Sequence, residues 1–333
     1  MSKRECYILI STGLMGGGKS YTTQKTIEQY AQAHPNRTVL IFDPNFEDTY
    51  AQYPTVNFDI LEIQEARANE KKHNTRIVTK SEKLLGSLSP GIKRIIPYTK
   101  FKQQMTQPQM LLTMITICQN FRGGLALFED INRYTISFEK TEIQSSFKAI
   151  RHNSADCIMH LQSLNPLRPI HYESTRVIRM HYDGVSLEKI KNKVANFYTI
   201  LRIAQLAIDA YYNKAMELER LNPNWESDPK LKEKILSYKR FYLYVFLKDR
   251  YIKGITKAEF IKACNEFLDE NPSEYRTDLT KATQNNKSKS FNKVVIENGK
   301  PTLIKVVEST KVSNTQIAKM NWIKRHLYLF RQQ

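Results

Sequence analysis

The sequence predicts an α/β protein: a mostly parallel sheet with helices on both faces, followed by a smaller, basic α+β module. Three observations carry this. A glycine-rich pattern, Gly13-Leu14-Met15-Gly16-Gly17-Gly18-Lys19-Ser20, sits between an apolar run (Tyr7 to Ile10) and a helical pattern (Tyr21 to Gln32). Short apolar runs then alternate with helical spacings as far as residue 183, as in a parallel sheet whose strands are buried on both sides. Beyond residue 230 the alternation gives way to short helical patterns and a hairpin signal.

The elements follow in order. The first helix ends near His34-Pro35, and Arg37 to Asp43 reads as a second buried strand closed by Asp43-Pro44-Asn45. Residues 44–92 mix short amphipathic pieces with a polar stretch, Glu65 to Lys83, that has no clean period and reads as an insertion or mobile edge. Arg94 to Thr99 is a third strand, and Pro97 within it argues for a sheet edge or an early end. Residues 107–120 have helical spacing (Met110, Leu111, Met114, Ile115, Cys118) and stop at Gly123-Gly124. Leu125 to Phe128 is an apolar strand that delivers Glu129 and Asp130 at its end. Thr141 to Ile150 reads as a helix, Asp156 to Leu161 as a strand ended by Gln162-Ser163, and Val177 to His181 as a strand before Asp183-Gly184.

The glycine-rich pattern fits G-x-x-x-x-G-K-[ST] and has the strand-to-helix context that pattern requires. Its backbone can turn consecutive N–H groups onto phosphate oxygens, the helix N-terminus adds positive potential, Lys19 reaches terminal phosphates, and Ser20 offers a hydroxyl to Mg²⁺. Two carboxylates, Glu129 and Asp130, follow about 110 residues later at a strand end. This resembles the second signature of a P-loop ATPase, where one acid is expected to bind the metal's hydration shell and the next to polarise water. The usual order is Asp then Glu; here it is reversed, which leaves the division of labour open.

Composition narrows the partners. The chain has 333 residues and a formal charge of +18, which points to a polyanion, nucleic acid or an acidic membrane surface. From Lys230 onward there are 22 Lys and Arg against 10 Asp and Glu, so this third of the chain carries +12 of the charge. Cys6, Cys118, Cys157 and Cys264 are widely spaced and read as reduced residues. The Met1 to Arg4 start leads directly into the first strand and does not read as a signal peptide, and no run is long and apolar enough to span a membrane. The expected location is cytoplasmic or associated with a virion. His152, His160, His171 and His181 match no metal-ligand spacing and read as satisfied or strand-face histidines.

These residues together resemble the FtsK–HerA superfamily of DNA-pumping ATPases, which includes phage genome-packaging ATPases and the zonula-occludens-toxin-like assembly proteins of filamentous phages. The resemblance rests on Gly18-Lys19-Ser20, Val39 to Asp43-Pro44, Arg94-Ile-Ile-Pro97, Leu125 to Asp130, and Arg151-His152-Asn153 through Leu161-Gln162-Ser163. It covers roughly residues 5–183. It implies a P-loop NTPase core of the RecA/ASCE-like kind that uses ATP and Mg²⁺. Gly13, Gly16, Gly17, Gly18, Lys19, Ser20 and Tyr21 would hold the nucleotide; Ser20 and, through water, Glu129 would hold the metal; Lys19, Glu129, Asp130, Gln162 and Arg151 would serve catalysis. Gln162 stands as a γ-phosphate sensor or a strand-end polar cap. Arg151 stands as an arginine finger for a neighbouring subunit or as a surface or DNA-contacting arginine, in competition with Arg122, Arg168, Arg176 and Arg179. The implied assembly is a homo-oligomeric ring, a hexamer, acting on single- or double-stranded DNA beside a capsid, portal or membrane partner.

The remainder reads as a long helical pattern from Leu187 to Leu221, a linker from Asn222 to Pro229, an amphipathic, aromatic-rich helix over 230–253, a capping box Thr256-x-x-Glu259 opening the next helix, and a third helix from Ser273. Lys293 to Val307 reads as two strands about Asn298-Gly299. The expected organisation is an ATPase core over 1–185, a bridging helix and linker over 186–229, an α+β module over 230–310, and a basic tail over 311–333. The module has the outline of a winged helix or of a helical cap with a hairpin. The tail, with Trp322, Lys324, Arg325, Tyr328 and Arg331, can stack on bases or dock on an acidic protein. The leading functional reading is an ATP-hydrolysing DNA motor for viral genome packaging. A filamentous-phage-type extrusion ATPase and an ATP-dependent switch with slow turnover stand beside it.

Overall fold

The computed structural model describes residues 6–135, 141–286, 290–297, 300–307 and 313–331. The glycine-rich loop joins β1 (Ile8–Thr12) to α1 (Lys19–Ala33). There follow β2 (Thr38–Phe42), α2 (Ile60–His73), α3 (Lys80–Gly86), β3 (Gly91–Ile95), α4 (Gln107–Asn120), β4 (Leu125–Phe128), α5 (Thr141–His152), β5 (Asp156–Leu161), α6 (Pro169–Ser174), β6 (Val177–His181) and α7 (Tyr198–Leu221). Next come α8 (Pro229–Lys239), β7 (Tyr242–Phe246), β8 (Tyr251–Lys253), α9 (Lys257–Glu270), α10 (Arg276–Asn286), the hairpin β9 (Ser290–Glu297) and β10 (Lys300–Val307), and α11 (Asn314–His326).

Eight strands form one sheet in the order β3-β2-β4-β5-β1-β6-β7-β8. The first six positions are parallel; β7 and β8 add to the β6 edge antiparallel. β5 therefore separates β1 from β4, and the loop after β1, the acids after β4 and Gln162 after β5 all leave the same carboxyl edge. The parallel strands β1, β2, β4, β5 and β6 are buried at every position, which explains their unbroken apolar runs.

The two faces are covered unequally. On one, Ile8, Ile10, Phe42, Phe128, Met159, Leu243 and Val245 join the larger core with residues of α2, α4, α7, α9 and α11. On the other, Leu9, Ile41, Leu127, Ile158 and Val177 meet Ile27 of α1 and Tyr50. Over β6 to β8 this second face is left as a groove bordered by the end of α8.

Four sequence expectations need correction. The stretch over 230–253 is α8 followed by two strands, because pairing with β6 (Val177 to Phe246, His181 to Tyr242) lets Leu243 and Val245 bury on one face while their aromatic neighbours take the other. The stretch from Glu65 to Lys83 belongs largely to α2 and α3. Asp59 accepts from the Leu61 and Glu62 N–H groups, Thr79 and Glu82 form a capping box, and Arg76 pairs with Glu70 and Glu82 at 2.7 Å, so caps and ion pairs hold the polar stretch between the core anchors Ile60, Ile63 and Leu85. The long helix begins at Tyr198 rather than Leu187, since Gln205 accepts from the Leu187 N–H and folds that segment back on α7 as two 3-10 turns. Trp322 is not presented for base stacking: it is buried in α11, stacked on His326 at 3.7 Å, while Arg325 forms a two-toothed pair with Asp278 at 2.6 and 2.5 Å.

β3 is an edge strand and ends at Ile95, two residues before Pro97. The Asn298-Gly299 turn lies outside the described residues, as do residues 1–5 and 311–312; Glu297 and Lys300 pair on either side of the turn. Among the described residues no helix is long and apolar enough to cross a membrane.

Candidate functional site

The loop's geometry follows from its glycines. Gly18 takes the left-handed region (φ 80°) immediately before α1. Gly13 is the tightest position: with φ 148°, a Cβ there would lie 2.6 Å from the Cβ of His181 on β6. Only a residue without a side chain lets the loop pass over that strand. The loop is closed by Leu14 N–H donating to the Tyr182 carbonyl at 2.9 Å and Gly17 N–H to the Leu14 carbonyl at 3.2 Å.

Lys19 folds back on its own loop, where Nζ donates to the carbonyls of Gly13 at 2.6 Å and Leu14 at 2.9 Å. Burial lowers its pKa against the opposing effect of Glu129 and Asp130. Across from it runs a cleft of about 560 Å³ lined by Gly16, Gly18, Lys19, Ser20, Tyr21, Glu129, Asp130, Arg133 and Gln162. The structure thus brings together the loop, both acids and Gln162. Tyr21 is 58 % exposed at its mouth.

The two acids occupy different environments. Glu129 is buried (2 % exposed); its carboxylate accepts from the Tyr50 hydroxyl at Oε1 and from His160 Nδ1 at Oε2, the latter at 2.6 Å. Burial alone would raise its pKa, but His160, Tyr50 and Lys19 outweigh burial and hold it below the usual glutamate range. Asp130 adopts a left-handed conformation (φ 38°) that turns it into the cleft, where Gln162 Nε2 donates to it at 3.4 Å. Gln162 is also fixed by its own N–H, which donates to Asn132 Oδ1 at 3.0 Å.

Behind Glu129 the hydrogen bonds continue inward. With His160 Nδ1 donating to Glu129, Nε2 accepts from the Thr23 hydroxyl of α1 at 2.7 Å, and the Thr23 oxygen accepts from Arg179 of β6. Arg179 is fully buried, donates also to Ser11 at 3.2 Å, and lies against the Tyr244 hydroxyl. Among the described residues it has no carboxylate partner in ion-pair range. Such a cation costs several kcal/mol to bury, offset by this set of hydroxyl acceptors. Burial accordingly lowers its pKa. Every donor in the chain from Arg179 through Thr23 and His160 points toward Glu129.

Arg151 stands elsewhere. It is exposed at the end of α5, before β5, so the full strand, about 20 Å at 3.3 Å per residue, separates it from Gln162 at the carboxyl edge. Arg133 does line the cleft, with Nη1 donating to the Pro44 carbonyl at 2.9 Å. Tyr50, Arg133 and the role of His160 escaped the sequence reading, since none belongs to a contiguous pattern. Of the other histidines, His171 accepts from the Arg168 N–H at 2.9 Å, and His181 is buried beneath Gly13. Among the described residues no three His, Cys, Asp or Glu side chains converge as a metal set. Ser20, Glu129 and Asp130 nevertheless offer one alcohol and two carboxylates to the same cleft, oxygen donors of the kind Mg²⁺ takes.

No family model and no curated protein matches the chain. Among solved structures it is similar to the genome packaging NTPase B204 from Sulfolobus turreted icosahedral virus 2. In complex with ATP-gammaS, that protein matches with 14 % identity and a TM-score of 0.41 over 76 % of this chain and 96 % of that one. In complex with AMP it matches with 16 % identity and a TM-score of 0.41 over 77 % and 99 %. B204, the DNA-packaging ATPase from Sulfolobus Turreted Icosahedral Virus, matches with 16 % identity and a TM-score of 0.40 over 74 % and 95 %.

Proposed function

We propose that this chain is an Mg²⁺-dependent ATPase that moves DNA, of the kind that packages a viral genome, and that it works as a homo-oligomeric ring. One observation carries the reading: Glu129 and Asp130 leave β4 into the same cleft as Lys19 and Ser20, with β5 and its terminal Gln162 between the two strands. In this reading the loop N–H groups and Lys19 bind the phosphates. Ser20 and, through water, Glu129 would hold Mg²⁺, which would supply charge neutralisation at the phosphoryl oxygens. Asp130, held by Gln162, orients the attacking water. On binding, Lys19 exchanges its two loop carbonyls for phosphate oxygens.

The charge of +18, concentrated after Lys230, supports a DNA partner. If Arg151 acts as a finger, it serves a neighbouring subunit whose cleft faces the amino edge of this sheet, since its own cleft lies at the other. Arg133 lines the cleft of its own chain. The switch reading has one observation in its favour: both oxygens of Glu129 already have protein donors.

The test is steady-state ATP hydrolysis by the whole chain, with and without single- and double-stranded DNA, at low and moderate salt, with Lys19→Ala as the blank. Stimulation by DNA that fades with salt supports the motor. Turnover indifferent to DNA in any form, with no DNA retained at low salt, contradicts it.

A further inference from the structure

On the α1 side of the sheet, past the edge of α1, β7 and β8 present a ladder of half-buried rings. Tyr242, Tyr244, Phe246 and Tyr251 follow one another with centroids 5.5, 6.5 and 4.3 Å apart. The first three border a groove of about 580 Å³, and Tyr251 stacks on Phe246 beside it. Period-two alternation puts them there: Leu243, Val245 and Ile252 between them bury in the opposite core.

The groove is positive as well as aromatic. No carboxylate is among its described lining residues, whereas Arg240 and Lys253 line it from exposed positions. Arg331 lies over the Tyr251 ring at 4.0 Å and Arg176 over Tyr7 at 5.8 Å. Tyr242 and Tyr244 meet edge to face and Phe246 is backed by Tyr251, so partly exposed rings border a cationic trough. Such a trough suits a chain of bases joined by phosphates, bases packing on the rings and linkages meeting the cations. A paired duplex keeps its base faces covered and cannot use the rings.

We propose that this groove binds a single strand of nucleic acid, its bases stacked along Phe246 and its neighbours and its phosphates on Lys253 and Arg240. The inference rests on the DNA-motor reading and adds the place and the strand form. The groove begins at the phosphate loop, because Arg240 packs against Gly18, where a Cβ would lie 3.3 Å from its Cγ.

The test is fluorescence anisotropy of a labelled oligothymidylate of about 20 nucleotides, and of a duplex of the same length, titrated with the full chain at low salt. The wild type, Phe246→Leu and Lys253→Glu are compared after thermal melts establish that each is folded. The wild type is expected to prefer the single strand, Phe246→Leu to weaken it roughly tenfold, and Lys253→Glu to weaken it roughly threefold and flatten the salt dependence. Lys253 is exposed, so its substitution tests the groove even where Phe246→Leu unfolds. If the wild type binds the single strand and both variants bind it equally well, the groove inference falls and the motor reading stands. If the wild type retains no DNA at low salt, the motor reading falls with it. Weakened ATP binding by Phe246→Leu with oligonucleotide affinity untouched, or a change in oligomeric state on Lys253→Glu with DNA affinity untouched, assigns the groove to the nucleotide's base or to a second copy and also overturns the inference.

Discussion

One face of one sheet carries two differently built polar surfaces. Over β4, β5 and β1 its polar groups are buried and matched donor to acceptor, from Arg179 through Thr23 and His160 to Glu129. Over β7 and β8 its aromatic rings and cations are left partly in water, with no acid among the groove's described lining residues. The first arrangement can hold one carboxylate in a fixed place against the cost of burying it; the second can hold a flexible polyanion without choosing its sequence. They meet at Arg179, which donates toward Thr23 on one side and lies against Tyr244 on the other.

The difference can be broken hardest at His160. His160→Ala leaves Glu129 buried with Tyr50 as its remaining partner, and folding should weaken by about 3 kcal/mol in urea unfolding. His160→Gln, which can still donate to the carboxylate, should recover part of that loss. A variant as stable as the wild type would mean that Glu129 does not depend on the buried chain.

Asp43, at the end of β2, sharpens the contrast through pH. Burial raises its pKa from 3.8 to about 6, against the Glu47 N–H and Arg94 that favour its charge. The folded protein therefore keeps this proton to higher pH than the unfolded chain, and the associated stability is present below pH 3.8 and lost as pH rises through about 6. Asp43→Asn has no such slope. Its stability relative to the wild type should improve by up to about 3 kcal/mol across that window, read from urea midpoints at several pH values. A constant difference would contradict the assignment.

A smaller effect is expected at the loop. Gly13→Ala forces a methyl group against His181, 2.6 Å away, and should cost about 1–3 kcal/mol in stability, with weaker nucleotide binding by calorimetry. Unchanged affinity and stability would mean that the loop moves away from β6 freely.

Much of this molecule was legible because its information is contiguous. The loop, the β4 acids and Gln162 each follow directly from an apolar strand, and burial on both faces makes such strands plain. The network around Glu129 was not legible, since Tyr50 and His160 stand 79 and 31 residues away from it, and Thr23 stands 137 from His160. Only folding makes them neighbours. β7 was misread because Tyr242 to Phe246 is apolar at every position, and its period of two becomes visible only once Leu243 and Val245 face one core and the rings face the groove. Likewise the polar end of α2 and the start of α3 are held by caps and ion pairs that no hydrophobic period reveals.

The most direct test of the central claim separates the two acids. Single-turnover ATP hydrolysis and nucleotide binding should be measured on Glu129→Gln, Asp130→Asn and the wild type. The account predicts that at least one variant loses hydrolysis by roughly 100-fold or more while still binding the nucleotide. Hydrolysis at the wild-type rate in both variants would contradict it, because the chemistry would then lie outside the cleft that β1, β4 and β5 build.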